Sequence, residues 1–220
     1  MAGRRLSPAR RLQRREGMNT LLARIGWSLS LASGLTLFAC GGAEVDTTGA
    51  EDVGDPQTLE ISAACPHKAL LKAGLHPDAS DRLRCIGIDA GDISQTIGNA
   101  PASAGYHAKD GTANGQPYTA ATDIRTAGRS ESQIRTLLSD LANSGFAAWY
   151  RKPGSDGWPS SEAPHIHAVY AGCAMKAELD GQVKDFRAGL NGLASHTRYT
   201  FWLPSQATRD AVYNLWNKYN

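Results

Sequence analysis

Apolar positions fall into two rhythms that alternate along the chain. Ile134, Leu137, Leu138 and Leu141 repeat at three- and four-residue spacing, the mark of a helix with one buried face. Ser130 supplies an N-cap, Gln133 three residues on completes a capping box, and Gly145 supplies the C-terminal stop. Leu179, Val183 and Phe186 set a second helix over 174–189, Pro204 opens a last one ending near Trp216, and Pro66 opens a short one through Leu75. The other rhythm is that of strands: 104–108, 116–125, 146–150 and 164–170, with a loop-rich stretch over 88–103. Lys109 to Gly115 is polar and holds Asp110-Gly111 and Asn114-Gly115, both turn signals, so 104–108 and 116–125 read as the arms of a hairpin. Helices mixed with antiparallel strands in this order predict an α+β fold, a small antiparallel sheet flanked by helices.

The first residues follow neither rhythm. Residues 1–39 hold seven arginines and one acid, Glu16, and end in the apolar run Ile25 to Ala39, followed by Cys40-Gly41-Gly42. A basic segment, a short apolar segment and small residues at its end are the parts of a secretory signal. The run is too short and interrupted for a transmembrane helix. Leu37-Phe38-Ala39-Cys40 resembles a bacterial lipobox, which implies cleavage before Cys40 and lipid on it; the alternative is a plain secretory peptide with an incidental cysteine. Met18 opens a more conventional signal, so the true start is placed there or at Met1, and a twin-arginine reading of Arg10-Arg11 or Arg14-Arg15 is the weaker option. Residues 40–60 then read as a lipidated cysteine and a disordered acidic tether: Glu44, Asp46, Glu51, Asp52, Asp55 and Glu60 with no base and almost no large apolar residue.

That leaves 61–220 as a single domain with 16 bases and 14 acids. No basic face stands out, so no nucleic-acid partner is expected. With Cys40 lipidated, three cysteines remain in an oxidising compartment; Cys65 and Cys85 bracket one short segment and form the expected disulfide, leaving Cys173 a buried free thiol. No CxxC pair marks a cysteine-rich zinc site.

The chemistry gathers at histidines. His165-Ile166-His167 lies in a strand, so both imidazoles share one face. A metal ion or an acid would explain the pair, and an exposed sheet face would also accommodate it. His107 and Asp123 sit on the two predicted hairpin arms, and Asp123 interrupts the apolar run Ala120 to Ile124. A buried aspartate needs a partner, whether a metal site, Arg125 or a turn. Three nitrogen and oxygen ligands with an open position form the catalytic zinc pattern.

Taken in order, His107, Thr122-Asp123-Ile124 and His165-Ile166-His167 resemble the zinc peptidase superfamily of D-alanyl-D-alanine carboxypeptidases and dipeptidases, murein endopeptidases, lysostaphin-type endopeptidases and the hedgehog signalling domain. The resemblance covers roughly 104–170. It implies Zn2+ held by His107, Asp123 and His167, with His165 as the catalytic proton-transfer or transition-state group. Fifteen residues separate His107 from Asp123, more than the family's usual short gap, and Pro164 stands where the dipeptidase branch has a glutamate. The expected function is therefore a zinc-dependent peptidase of the cell envelope acting on peptidoglycan peptides, exported and held at the membrane through lipid on Cys40. A non-catalytic envelope lipoprotein on the same scaffold is the alternative; Asp110 or His76 closing the site as a fourth ligand would favour it. Tyr106 reads as packing or an oxyanion donor, and Arg125 and Arg151 as grips for a carboxylate.

Overall fold

The computed structural model describes residues 68–98, 103 and 105–220. The signal over 1–39, Cys40, the tether and Cys65 lie outside them. The elements are α1 (Pro77–Cys85), β1 (Ile93–Gln95), β2 (Gly111–Ala113), β3 (Gln116–Tyr118), β4 (Ala121–Arg125), α2 (Glu131–Asn143), β5 (Phe146–Arg151), β6 (His165–Tyr170), α3 (Ala177–Ala188) and α4 (Gln206–Trp216). Among the described residues the fold is α+β: a four-stranded antiparallel sheet ordered β1-β4-β6-β5, a separate β2-β3 hairpin, and four helices.

Helix α2 forms as its signals predict. Ser130 Oγ accepts from Gln133 N and Gln133 answers to Ser130 N, while Ile134, Leu137, Leu138, Leu141 and Ala142 are buried. Gly145 at φ +88 takes the left-handed turn that releases the chain into β5. Helix α3 buries Leu179, Val183 and Phe186, and α4 starts from Ser205 just past Pro204.

Three expectations are corrected. No helix covers the described part of 66–75. The helix begins instead at Pro77, with His76 as N-cap accepting from Asp78 N. Gly74 at φ +87 breaks any helix running through it. The segment lies against α1, with Leu71 N donating to Ser80 Oγ and Arg84 Nη2 to Ala69 O. Second, the hairpin is shorter than expected and shifted. Its arms are β2 and β3 around Asn114-Gly115, both at positive φ. Asp110 Oδ2 accepts from Thr119 Oγ1 and Ala120 N, which ends the hairpin and sends β4 into the main sheet. His107 therefore sits in a turn, not on a strand. Third, the stretch over 88–103 holds a strand, β1, which pairs with β4 through a bulge between Ile93 and Gln95.

The β2-β3 hairpin is tied to α3. Lys176 Nζ donates to the fully buried Asp110 carboxylate and to Ala108 O, each at 2.9 Å, and Tyr118 Oη donates to Ala174 O. This clamp fixes the segment that follows His107.

Candidate metal centre

Sheet register assembles most of the site. Asp123 on β4 pairs with His167 on β6, which pairs with Trp149 on β5. Directly paired residues share a face, so these three side chains form one row. Two residues along each strand, Arg125, His165 and Arg151 form a second row on the same face. His107 joins from the turn before β2. Its carbonyl accepts from Gly98 N and its Nδ1 lies 3.0 Å from Thr96 O, so the chain leaving β1 carries the ring to the sheet. Helix α3 closes the far side through Gln182, against His167, and Phe186, edge-on to Trp149.

His107, Asp123 and His167 are all buried, with ligand atoms within 4.8 Å of one another. Two hydrogen bonds fix which ring nitrogens face inward. Thr96 O can only accept, so His107 Nδ1 carries a proton and Nε2 is the nitrogen turned toward Asp123. Gln182 Nε2 donates to Gly192 O at 2.7 Å, which turns Gln182 Oε1 toward His167 Nε2 at 2.9 Å. His167 Nε2 therefore carries a proton, and its Nδ1 is the nitrogen turned toward Asp123. Asp123 Oδ1 meets both, 3.2 Å from His107 Nε2 and 2.9 Å from His167 Nδ1.

Charge completes the picture. Burial pushes the Asp123 carboxyl up, but the adjoining histidines outweigh it and hold the group well below the usual carboxylate range. Burial pushes His167 down to about 4 against the pull of Asp123, so its ring is neutral at pH 7. Two imidazole nitrogens and a carboxylate oxygen thus converge. A cation satisfies all three. Tetrahedral bonds of about 2.0–2.1 Å would set ligand atoms roughly 3.3 Å apart, close to the two separations from Asp123 Oδ1. The group could hold a metal ion.

Around it lies a cavity of about 760 Å³. His165 is on its wall, half-buried. Its Nδ1 donates to Ala163 O at 3.1 Å, its Nε2 lies 3.7 Å from Asp123 Oδ1, and Trp158 packs edge-on against it at 5.1 Å between ring centroids. Tyr106, Arg125 and Arg151 also line the cavity, as does Glu162 on its exposed rim. Burial lowers the Arg151 guanidinium to about 10, opposed by Tyr199 and Asp123, so it stays charged at pH 7.

The expected ligands and His165 are brought together, by β4-β6 pairing and the β1 turn rather than by the hairpin. Asp123 meets histidines, not Arg125. Neither Asp110 nor His76 closes the site: Asp110 is held by Lys176 and Thr119, and His76 caps α1 beside Tyr118. His196 bonds Asp185 at 2.8 Å and is not among the residues that line the cavity. Cys85 is disulfide-bonded and Cys173 is free and buried, so the partner of Cys85 lies outside the described residues. Gln182 was not singled out by the sequence. Compared with family models, with curated proteins and with solved structures, the chain matches none.

Proposed function

We propose that this chain is a zinc-dependent peptidase that hydrolyses peptidoglycan peptides at the cell envelope, on the hedgehog/D-alanyl-D-alanine peptidase scaffold that its residue order resembles. One observation carries the reading: three atoms able to ligate a metal, His107 Nε2, Asp123 Oδ1 and His167 Nδ1, converge beside a cavity. A nitrogen-and-oxygen set of three suits zinc with a position left for chemistry, whereas a structural zinc is closed by four protein ligands. When bound, zinc brings the pKa of water to about 7 and polarises a carbonyl.

The chain's own groups supply the rest. His165 Nδ1 is committed to Ala163 O, so Nε2 is the nitrogen free to accept a proton on the cavity side and return it to a leaving amine. Trp158 packs against that ring and limits its rotation. Thr96 and Gln182 hold His107 and His167 in the tautomers the ion requires. Lipid on Cys40 and the acidic tether would keep the domain near its substrate, facing the periplasm or outside.

The test is elemental mass spectrometry on the purified full-length chain beside His107→Ala, Asp123→Asn and His167→Ala, with circular dichroism to check folding. About one zinc per chain, lost in the folded variants, with release of fragments from peptidoglycan by wild type and not by His165→Ala, is expected. No zinc uptake by folded wild type overturns the reading.

A further inference from the structure

Arg151 is a charged side chain that the site as described leaves without work. It is only 3% exposed. A buried arginine is ordinarily matched by a carboxylate, because its desolvation is costly otherwise. Here its hydrogen bond runs from Nη1 to Asn191 O at 2.6 Å, and no carboxylate among the described residues lies within ion-pair distance. The nearby acids are committed or remote. Asp123 faces the histidines, Asp156 accepts from Thr200 and Phe201, and Glu162 is on the exposed rim.

The guanidinium is nevertheless held in place. It lies 5.4 Å from the Trp149 ring centroid and 5.8 Å from that of Trp158, so two indole faces orient its planar fork. It lines the cavity. Two more cavity-lining residues carry buried polar atoms with no partner among the described residues, Thr126 Oγ1 and Trp158 Nε1. The Trp158 indole and the Arg151 guanidinium can only donate, so a ligand that brings acceptors complements this part of the wall. Spacing narrows the choice. Arg151 sits beside His165, two residues along the sheet from the row that holds Asp123 and His167. Two residues of strand span about 7 Å, roughly one to two residues of an extended peptide.

We propose that Arg151 is the specificity residue of this cavity and binds a ligand carboxylate placed one or two residues from the bond presented to His107, Asp123 and His167. The bond in question rests on the peptidase reading; the carboxylate site does not. The carboxylate is either a terminal α-carboxylate or that of an acidic side chain. The guanidinium fork takes it in two parallel N–H···O bonds. Arg125, in the same row at the exposed edge, adds charge at the mouth.

The test uses the full-length protein stripped of metal with a chelator and three probes: N-acetyl-D-alanyl-D-alanine, its terminal amide, and N-acetyl-D-alanyl-D-glutamic α-amide, which keeps only the side-chain carboxylate. Binding is followed by calorimetry and by fluorescence of the flanking tryptophans. At least one carboxylate peptide is expected to bind tenfold or more tighter than the neutral amide, and which one identifies the source. Arg151→Gln is expected to erase the preference and Arg151→Lys to keep part of it. Equal binding of all three, or no binding by any, overturns the proposal without any variant having to fold, as does a preference that survives in folded Arg151→Gln. With zinc restored, equal cleavage of acids and amide would leave the peptidase reading standing and this one fallen. A carboxylate preference without cleavage of any probe or of peptidoglycan would do the reverse.

Discussion

At the scale of single residues, the site depends on groups that carry no charge. Gln182 fixes the His167 tautomer only because Gly192 O holds its amide the right way round. Gly192 in turn has no room for a side chain: at φ +62, an added Cβ would lie 2.8 Å from the Trp149 ring. Gln182→Leu keeps the volume and removes the acceptor, so zinc affinity is expected to fall by about 10–100-fold, measured by competition with a chromophoric chelator. The sequence held a signal for this residue. Gln182 follows Leu179 by three and precedes Phe186 by four, so it is a polar residue on the buried face of α3. Cys173 makes the opposite case. Burial, helped by Asp110 and Asp78, pushes its thiol up to about 12, above the roughly 8.5 of an unfolded cysteine. The folded state therefore favours the neutral thiol. Its contribution is full below about pH 8.5 and declines as pH rises above that, by about 2 kcal/mol at pH 10. Urea melts of wild type and Cys173→Ala at pH 7 and pH 10 check this; the extra alkaline loss belongs to wild type alone.

At the scale of elements, legibility followed the number of independent local signals. Helix α2 had a cap, a capping box, a periodic apolar stripe and a glycine stop, and all are in the structure. Ser130→Ala removes one of them and is expected to cost about 1 kcal/mol by denaturant unfolding. Helix α1 was missed because its buried face is Ala79, Ser80, Asp81 and Leu83, which shows little apolar rhythm. Strand β1 has a single buried apolar residue, Ile93, and owes its pairing to β4. The hairpin was displaced because a lone aspartate was read as a turn former. Asp110 is instead an anchor, and that role depends on Lys176, 66 residues further along the chain. No local rule sees a contact of that range.

At the scale of the whole molecule, the three residues of the candidate metal group were legible and their assembly was not. Residue types and strand alternation were enough to join His165 with His167 and to question a buried Asp123. The partners of that aspartate, the turn that brings His107 and the amide behind His167 all come from tertiary contacts. Those contacts matter beyond chemistry, because His167 and Asp123 lie 44 residues apart and His107 arrives from a third segment. An unfolded chain cannot present the three together. An ion that binds them favours the native state by mass action, roughly 4 kcal/mol when free metal exceeds its dissociation constant a thousandfold. The melting temperature is therefore expected to climb with free zinc in wild type and to stay level in Asp123→Asn, by scanning calorimetry in metal buffers. The same coupling would make the availability of the ion in the surroundings a determinant of how long each copy resists proteolysis.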